Sequence, residues 1–371
     1  MMNPDKMGNQ NYRFGIISDT QGRKGQQLDE ALEPLKNHGE NLDFIVHIGD
    51  LAGSGILSEY VKEAKGLALR YDKEKKTDKL SLEVEEYIKI IESPEYHIFK
   101  EQQKNIGMEQ DIAVYALWMA KSRGELDQAM ADMRQSIKDV TSRLSELKSD
   151  VRHIMGNADR PFPQKLEATQ ELLKEAGVDS YDKPLNLPLD DKTSVIFWPS
   201  FKVDEKNAEQ TNSLEKTIDD FAQLNKDKKS ILIFAHETPF KGPKKPGVYE
   251  KQVKQANLPD SERVPYKQFL PVSKYLMELC RRLPAKADIY VACGHMHVSR
   301  ETLAAGINFL DFDESGKAKL RLFGGQTIDH DKYETIPGEK RTINLYYLPE
   351  GEVGIFEIKD DGEIIYKNLS K

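Results

Sequence analysis

The chain has 371 residues, of which 38% are hydrophobic and 31% charged, a composition that buries a core and excludes a disordered or fibrous polymer. Its 54 basic and 62 acidic residues leave a formal charge of −8, which speaks against a long nucleic acid held by non-specific phosphate contacts. No run approaches the roughly 18 apolar residues of a membrane span, and Met1 to Arg13 is polar with no hydrophobic signal core. The two cysteines, Cys280 and Cys293, make neither a zinc cage nor a disulfide framework, so a cytoplasmic protein is expected, with Cys293 a small buried hydrophobe.

The length exceeds one average domain, so one large domain with an insertion, or two domains, is expected. In chain order, the first predicted strand is Phe14-Gly15-Ile16-Ile17, followed by a helix over Gln26 to Lys36 and a strand over Phe44 to Ile48. Short β-branched runs that stop at Gly, Asp, Asn or His read as buried strands. Residues 54–150 carry almost no strand signal. There, Leu126, Met130, Met133, Ile137, Val140, Leu144, Leu147 and Val151 alternate steps of four and three, an apolar stripe predicted on one long helix. Helical faces also show at Ile56-Tyr60-Ala64, Val84-Ile88-Ile91 and Ile112-Ala116-Met119, with Trp118 expected in the core and Ser93-Pro94 as a break. The segment reads as a helical insertion whose stripe packs on the other inserted helices or pairs with a second copy.

Strand signals resume at Val195 to Trp198, Ile231 to Ala235 and Ile289 to Ala292, with a helix over Val272 to Arg282. Four more follow after Arg300: Lys319 to Phe323, Ile343 to Tyr347, Gly354 to Ile358 and Glu363 to Tyr366. The turn residues Pro349-Glu350-Gly351 and Asp360-Asp361-Gly362 predict that the last three are joined as hairpins. The alternation of strands and helices predicts an α/β fold, with function in the loops at strand ends. The expected division is 12–53 with 151–371 as the main domain and 54–150 as the insertion.

The chemistry lies where apolar runs end. Five segments do so: Ser18-Asp19-Thr20-Gln21, Gly49-Asp50, Gly156-Asn157-Ala158-Asp159, His236-Glu237 and Gly294-His295-Met296-His297. Each places an oxygen or imidazole donor at the end of a strand, where ligands from separate strands converge. A mixed Asp, Asn and His donor set suits Mn, Fe, Zn, Co or Ni better than calcium. A carboxylate such as Asp50 can bridge two cations. Imidazoles at i and i+2 project to the same side, so His295 and His297 can each serve one metal. Two such ions activate a bridging hydroxide and clamp phosphoryl oxygens. Each segment alone is weak, since Gly-Asp is a common turn and a lone Asp at a strand end is often a helix cap. The five in this order are far more specific.

On these residues the chain resembles the calcineurin-like metallophosphoesterases, whose pattern is D-x-H, G-D-x, G-N-H-D/E, a lone His and G-H-x-H. The resemblance covers Tyr12 to Asp50 and Val151 to Arg300. It implies two packed mixed sheets flanked by helices, with the C-terminal strands joining the second sheet. It also implies a hydrolase of phosphoric esters holding two divalent ions, manganese foremost. By similarity, Asp19, Gln21, Asp50 and His297 surround one metal, and Asp50, Asn157, His236 and His295 hold the other.

The sequence departs from the family at two positions. Gln21 stands in place of a histidine, where its amide either ligates as a weaker donor or holds the metal's water. Ala158 stands where the family's histidine assists the leaving group, a loss on the order of 10²–10⁴ in rate, so esters with good leaving groups are expected. Arg160 and Lys241, the latter in the basic Lys241 to Gly247 loop, are the candidate substrate contacts. His47 and Asp159 are expected to support the ligands, and His330 to be solvated. The expected substrate is a small phosphomonoester, phosphodiester or nucleotide-like molecule, with no membrane partner and with dimerisation through the insertion as an option. A weakly active interaction scaffold and a nuclease stand as the rival readings.

Overall fold

In a computed structural model the chain is described over residues 11–21, 25–53, 55–77, 79–103, 110–200, 207–238, 271–295, 300, 313–314, 317–322 and 341–370. These residues form two six-stranded sheets. The first has the order β12-β11-β1-β2-β3-β4, built from β1 (Tyr12–Ile17), β2 (Phe44–Ile48), β3 (Val151–Ile154), β4 (Asp179–Tyr181), β11 (Val353–Ile358) and β12 (Ile364–Asn368). The second has the order β5-β6-β7-β8-β10-β9, built from β5 (Leu185–Pro188), β6 (Thr193–Trp198), β7 (Ser230–Ala235), β8 (Asp288–Cys293), β9 (Lys317–Leu322) and β10 (Arg341–Tyr347). Strands β1 to β4 run parallel in one sheet and β6, β7, β8 and β10 in the other, with antiparallel strands at the margins.

The period of two along these strands sorts side chains between layers. Phe44, Val46 and Ile48 enter an apolar layer shared with Phe197, Leu232 and Phe234 of the other sheet, and the Phe14 and Phe44 rings stack at 4.2 Å between centroids. Ile45 faces the other way, among residues of the flanking helices. Helix α1 (Gln26–His38), together with α2 (Leu57–Glu74), α3 (Leu82–Ile91), α4 (Pro94–Gln102), α5 (Gln110–Ser122), α6 (Leu126–Ser145) and α7 (Pro163–Glu175), lies on the outer side of the first sheet. Helices α8 (Ala208–Leu224) and α9 (Pro271–Arg282) cover the second through Ile218, Phe221, Leu276 and Leu279. The arrangement is thus helix, sheet, sheet, helix, the expected fold class. Parallel strands covered on both faces are continuous in apolar residues, which is why they read so plainly.

Helices α2 to α6 all fall between β2 and β3. Ser93 caps α4 by accepting from the Tyr96 N–H at 3.2 Å, with Pro94 in its first turn. Trp118 is half-buried between the Tyr96 and Phe99 rings. Met133, Ile137, Val140 and Leu144 of α6 are buried in the same cluster as Leu32 of α1 and Leu172 of α7, so the stripe is covered within the chain.

Three expectations are corrected. The long helix stops at Ser145; Leu147 is buried in the turn beyond it and Val151 opens β3. Strands β10 and β11 do not form a hairpin, because β10 lies beside β8 in the second sheet and β11 beside β1 in the first; Pro349-Glu350-Gly351 is a crossover between sheets. Accordingly only β9 and β10 join the second sheet, whereas β11 and β12 complete the first. No helix among the described residues is long and apolar enough to cross a membrane.

Candidate metal centre

Asp19, Asp50, Asn157, His236 and His295 follow β1, β2, β3, β7 and β8. The topology seats these strands next to one another at the middle of the two sheets, so their C-terminal loops meet. Three glycines make the approach close enough. A Cβ on Gly49 would lie 2.3 Å from His236 Nδ1, one on Gly156 2.4 Å from Asp50 Oδ1, and one on Gly294 2.0 Å from Ser18 Oγ. Asp19, Asp50 and His295, with φ of 49°, 52° and 74°, are the positive-φ non-glycine residues among those described. A left-handed conformation costs such residues about 1–2 kcal/mol each, so the fold stabilises strained backbone at three of the sequence-predicted ligand positions.

The donor atoms converge on His236. Its Nδ1 lies 2.9 Å from the Ile48 carbonyl oxygen, which can only accept, so Nδ1 carries the proton and Nε2 presents a lone pair. Around Nε2 stand Asn157 Oδ1 at 3.0 Å, His295 Nδ1 at 3.1 Å and Asp50 Oδ1 at 3.3 Å. Asp50, His236 and His295 thus form a group with ligand atoms within 4.8 Å of one another. Neighbouring ligands of a cation bound at ~2.1 Å stand about 3.0–3.4 Å apart for right-angled to tetrahedral geometry, the spacing found around Nε2. The field has the matching sign. Burial disfavours charge on the His236 ring, yet the carboxylates of Asp50 and Asp19 outweigh it and raise its pKa. Positive charge is therefore favoured where the four donors meet, and the residues present fit a divalent metal.

The loops are also tied to each other. Asp19 Oδ2 accepts from Ser18 Oγ and, at 3.0 Å, from the His295 backbone N–H. Asp50 Oδ1 accepts the backbone N–H of Ala158 at 2.8 Å. Gln21 turns its amide nitrogen, the end that cannot ligate, toward Asp50 Oδ2 at 3.0 Å. His297, Lys241 with its basic loop, and His330 lie outside the described residues.

The supporting residues are buried. Asp159 accepts the backbone N–H groups of Asp50, Leu51 and Gly156 at 3.0, 2.8 and 2.8 Å, joining the second and third motifs. His47, fully buried, bonds Thr20 Oγ1 through Nε2 at 2.8 Å. Burial, then repulsion from His153, pushes its pKa from 6.5 down to about 3. Arg160 is 7% exposed, with Nε and Nη2 lacking hydrogen-bond partners among the described residues. Burial lowers its pKa against the opposing charges of Asp159, Asp182 and Glu237.

Two participants escaped the sequence reading. His153 sits on β3 directly beside His47 of β2, and Lys165 of α7, 1% exposed, donates to the Ala52 carbonyl at 2.8 Å. Histidine within an apolar run just ahead of a Gly-Asn turn was a visible signal for the first. Nothing local distinguishes Lys165 from a solvated helix lysine.

No family model matches the chain, and no curated protein matches it. Among solved structures, the purple acid phosphatase PPD1 from yellow lupin (Lupinus luteus) seeds is similar at 10% identity and a TM-score of 0.40. The similarity covers 97% of this chain and 52% of that one. A further solved chain matches over 97% of this chain and 100% of its own, with 10% identity and a TM-score of 0.45.

Proposed function

We propose that the chain is a metal-dependent phosphoric ester hydrolase of the calcineurin-like type. One observation carries the reading: donors from three other strand ends, Asn157, His295 and Asp50, stand 3.0–3.3 Å from His236 Nε2. Asp50, Asn157, His236 and His295 would hold one divalent ion, and Asp19 with His297 and Asp50 a second, manganese being the first candidate. Bound there, such ions supply Lewis acidity and a hydroxide at neutral pH.

The chain's own residues do the rest. Asp50, fixed by the Ala158 N–H and by Gln21, would be the ligand shared by both ions. The buried guanidinium of Arg160 would offer the hydrogens of Nε and Nη2 to the phosphoryl oxygens. With Ala158 where the resembled pattern has a histidine, aryl or otherwise acidic leaving groups are favoured. A small phosphomonoester, phosphodiester or nucleotide is the substrate class.

The test is metal analysis and turnover together. Protein loaded with Mn²⁺ should cleave an aryl phosphate or a bis-aryl phosphodiester, and Asp50→Asn should bring turnover below about a hundredth of wild type. Wild type that takes up no transition metal at micromolar concentration, or Asp50→Asn with unchanged turnover, would refute the reading and favour an interaction scaffold.

A further inference from the structure

A cavity of about 420 Å³ lies beside the centre, between the helical insertion and the loops that follow β1 and β2. Small-molecule sites have volumes of roughly 300–1,000 Å³. Gln21 lines it, and the amide of Gln21 donates to Asp50 Oδ2 at 3.0 Å, so one side chain separates the cavity from the carboxylate assigned to both ions. Gly53 lines it from the second loop, where a Cβ would stand 3.2 Å from the Gln21 carbonyl oxygen.

The facing wall is α6. Asp132, Gln135, Ser136, Asp139 and Arg143 recur at steps of three and four, and all line the cavity, so they form a polar face of that helix. The apolar stripe of α6 is covered by the core, and this second stripe is presented to the cavity. Gly55 permits the approach: with φ at 57°, a Cβ there would stand 3.1 Å from Asp132 Cβ. Leu28, Ile56 and Val140 add an apolar portion.

The polar lining offers both donors and acceptors. Gly25 and Ile56, which immediately precede α1 and α2, line the cavity, and neither helix has a side-chain cap. The first N–H groups of such a helix lack intrahelical acceptors. The acceptors are the carboxylates of Glu59, Asp132 and Asp139. Asp132 and Asp139 each receive a glutamine amide on Oδ1 at 2.7 Å, from Gln128 and Gln135. Arg143, the cation of the lining among the described residues, is engaged by Asp29 at 2.7 Å and by the Asp139 carbonyl at 3.0 Å. A second phosphate or a carboxylate would meet three carboxylates here. An ammonium group accepts nothing from an N–H, whereas a hydroxyl both donates and accepts.

We propose that this cavity binds the organic group that stays on phosphorus, and that this group is an uncharged, hydroxyl-rich alcohol. The inference rests on the hydrolase reading above and narrows its substrate to a phosphodiester. In that reaction water adds its hydroxide to phosphorus and releases its other proton to solvent. The P–O bond to the leaving group breaks, with the electron pair on the departing oxygen. A leaving group stable as an anion departs without an acid, so selection falls on the retained group, and the insertion supplies its wall through α6.

Calorimetric titration of the Mn²⁺-loaded full chain with phosphomonoesters, the products of such a reaction, tests this without turnover. Glycerol 1-phosphate should bind about tenfold or more tightly than methyl phosphate, ethanolamine phosphate or phosphoglycolate, the effect of two or three neutral hydrogen bonds. Ser136→Trp, which fills the cavity from α6, should remove that preference and leave the affinity for inorganic phosphate unchanged, with folding checked by circular dichroism. Asp132→Ala, which removes an acceptor without filling space, should lower the preference about threefold or more. Equal binding of glycerol 1-phosphate and methyl phosphate to the wild type, or a wild-type preference in both folded variants, would overturn the pocket. Tighter binding of ethanolamine phosphate or phosphoglycolate would overturn the uncharged class. In those cases inorganic phosphate still binds and the hydrolase reading stands, whereas a wild type that takes up neither Mn²⁺ nor inorganic phosphate would overturn both.

Discussion

Replacing His47 by glutamine should change how the protein responds to acid. Glutamine keeps an amide N–H to donate toward Thr20 and an oxygen to accept from His153, but it does not titrate. In the wild type, burial and the neighbouring His153 lower the His47 pKa from 6.5 to about 3. Between those values the unfolded chain protonates His47 and the native one does not. A proton taken up only by the unfolded state stabilises that state, so the contribution of His47 is fully present above pH 6.5 and is lost as pH falls toward 3. A depression of that size corresponds to ~5 kcal/mol over the whole window, and to ~2 kcal/mol between pH 7 and pH 5. This is a sizeable part of the 5–15 kcal/mol typical of folded domains.

Urea unfolding followed by circular dichroism at pH 7, 6 and 5 measures it. Every other acid-sensitive group is common to both proteins, so the difference between the curves isolates the one site. His47→Gln starts at lower stability at pH 7 through imperfect geometry, and its deficit should shrink by about 2 kcal/mol by pH 5. Parallel curves for wild type and variant would refute the reasoning, because they would mean that the native protein takes up a proton at His47 as readily as the unfolded chain does.

Two further substitutions probe the site. A Cβ on Gly294 would stand 2.0 Å from Ser18 Oγ and 2.3 Å from Asp19 Oδ2, so Gly294→Ala should abolish metal uptake while circular dichroism stays native. The control Gly66→Ala, in α2 with open space around it, should raise stability by up to ~1 kcal/mol. Arg160→Ala should raise KM for the phosphoester about tenfold or more with metal content unchanged, since a charge-assisted hydrogen bond is worth roughly 1.5–3 kcal/mol. An unchanged KM would remove Arg160 from substrate binding.

The parts of the fold legible in the sequence are those fixed by local patterning. Strands β1, β2, β6, β7 and β8 are buried along nearly their whole length, so each appears as an apolar run, and in all but β6 that run is broken by the turn that aims a donor. Strands β4 and β5 went unseen because Asp179–Tyr181 and Leu185–Pro188 are half-exposed or exposed at the sheet margins and carry little apolar periodicity. The crossover at Pro349-Glu350-Gly351 has the same residue types as the true β11–β12 turn at Asp360-Asp361-Gly362. What separates them is the long-range pairing of β11 with β1, to which turn chemistry is blind. Likewise the stripe of α6 continues in step to Leu147 and Val151, because a spacing of three and four says nothing about whether the backbone between is still helical.

The same distinction explains Ala158. Read as a side chain, it is a loss, since a methyl group stands where the pattern that the chain resembles has an imidazole. In the structure its contribution is its backbone N–H, given at 2.8 Å to the Asp50 oxygen that faces His236. Any residue type except proline offers that group, so the sequence could not reveal it. The third motif thus divides its work by chemistry. Asn157 supplies a donor atom to the cluster, residue 158 fixes Asp50 through the main chain, and Asp159 binds the loops from behind. On the proposed function, only general acid catalysis would depend on the side chain at 158. Its absence should therefore fall on reactions with poor leaving groups and leave assembly of the centre intact.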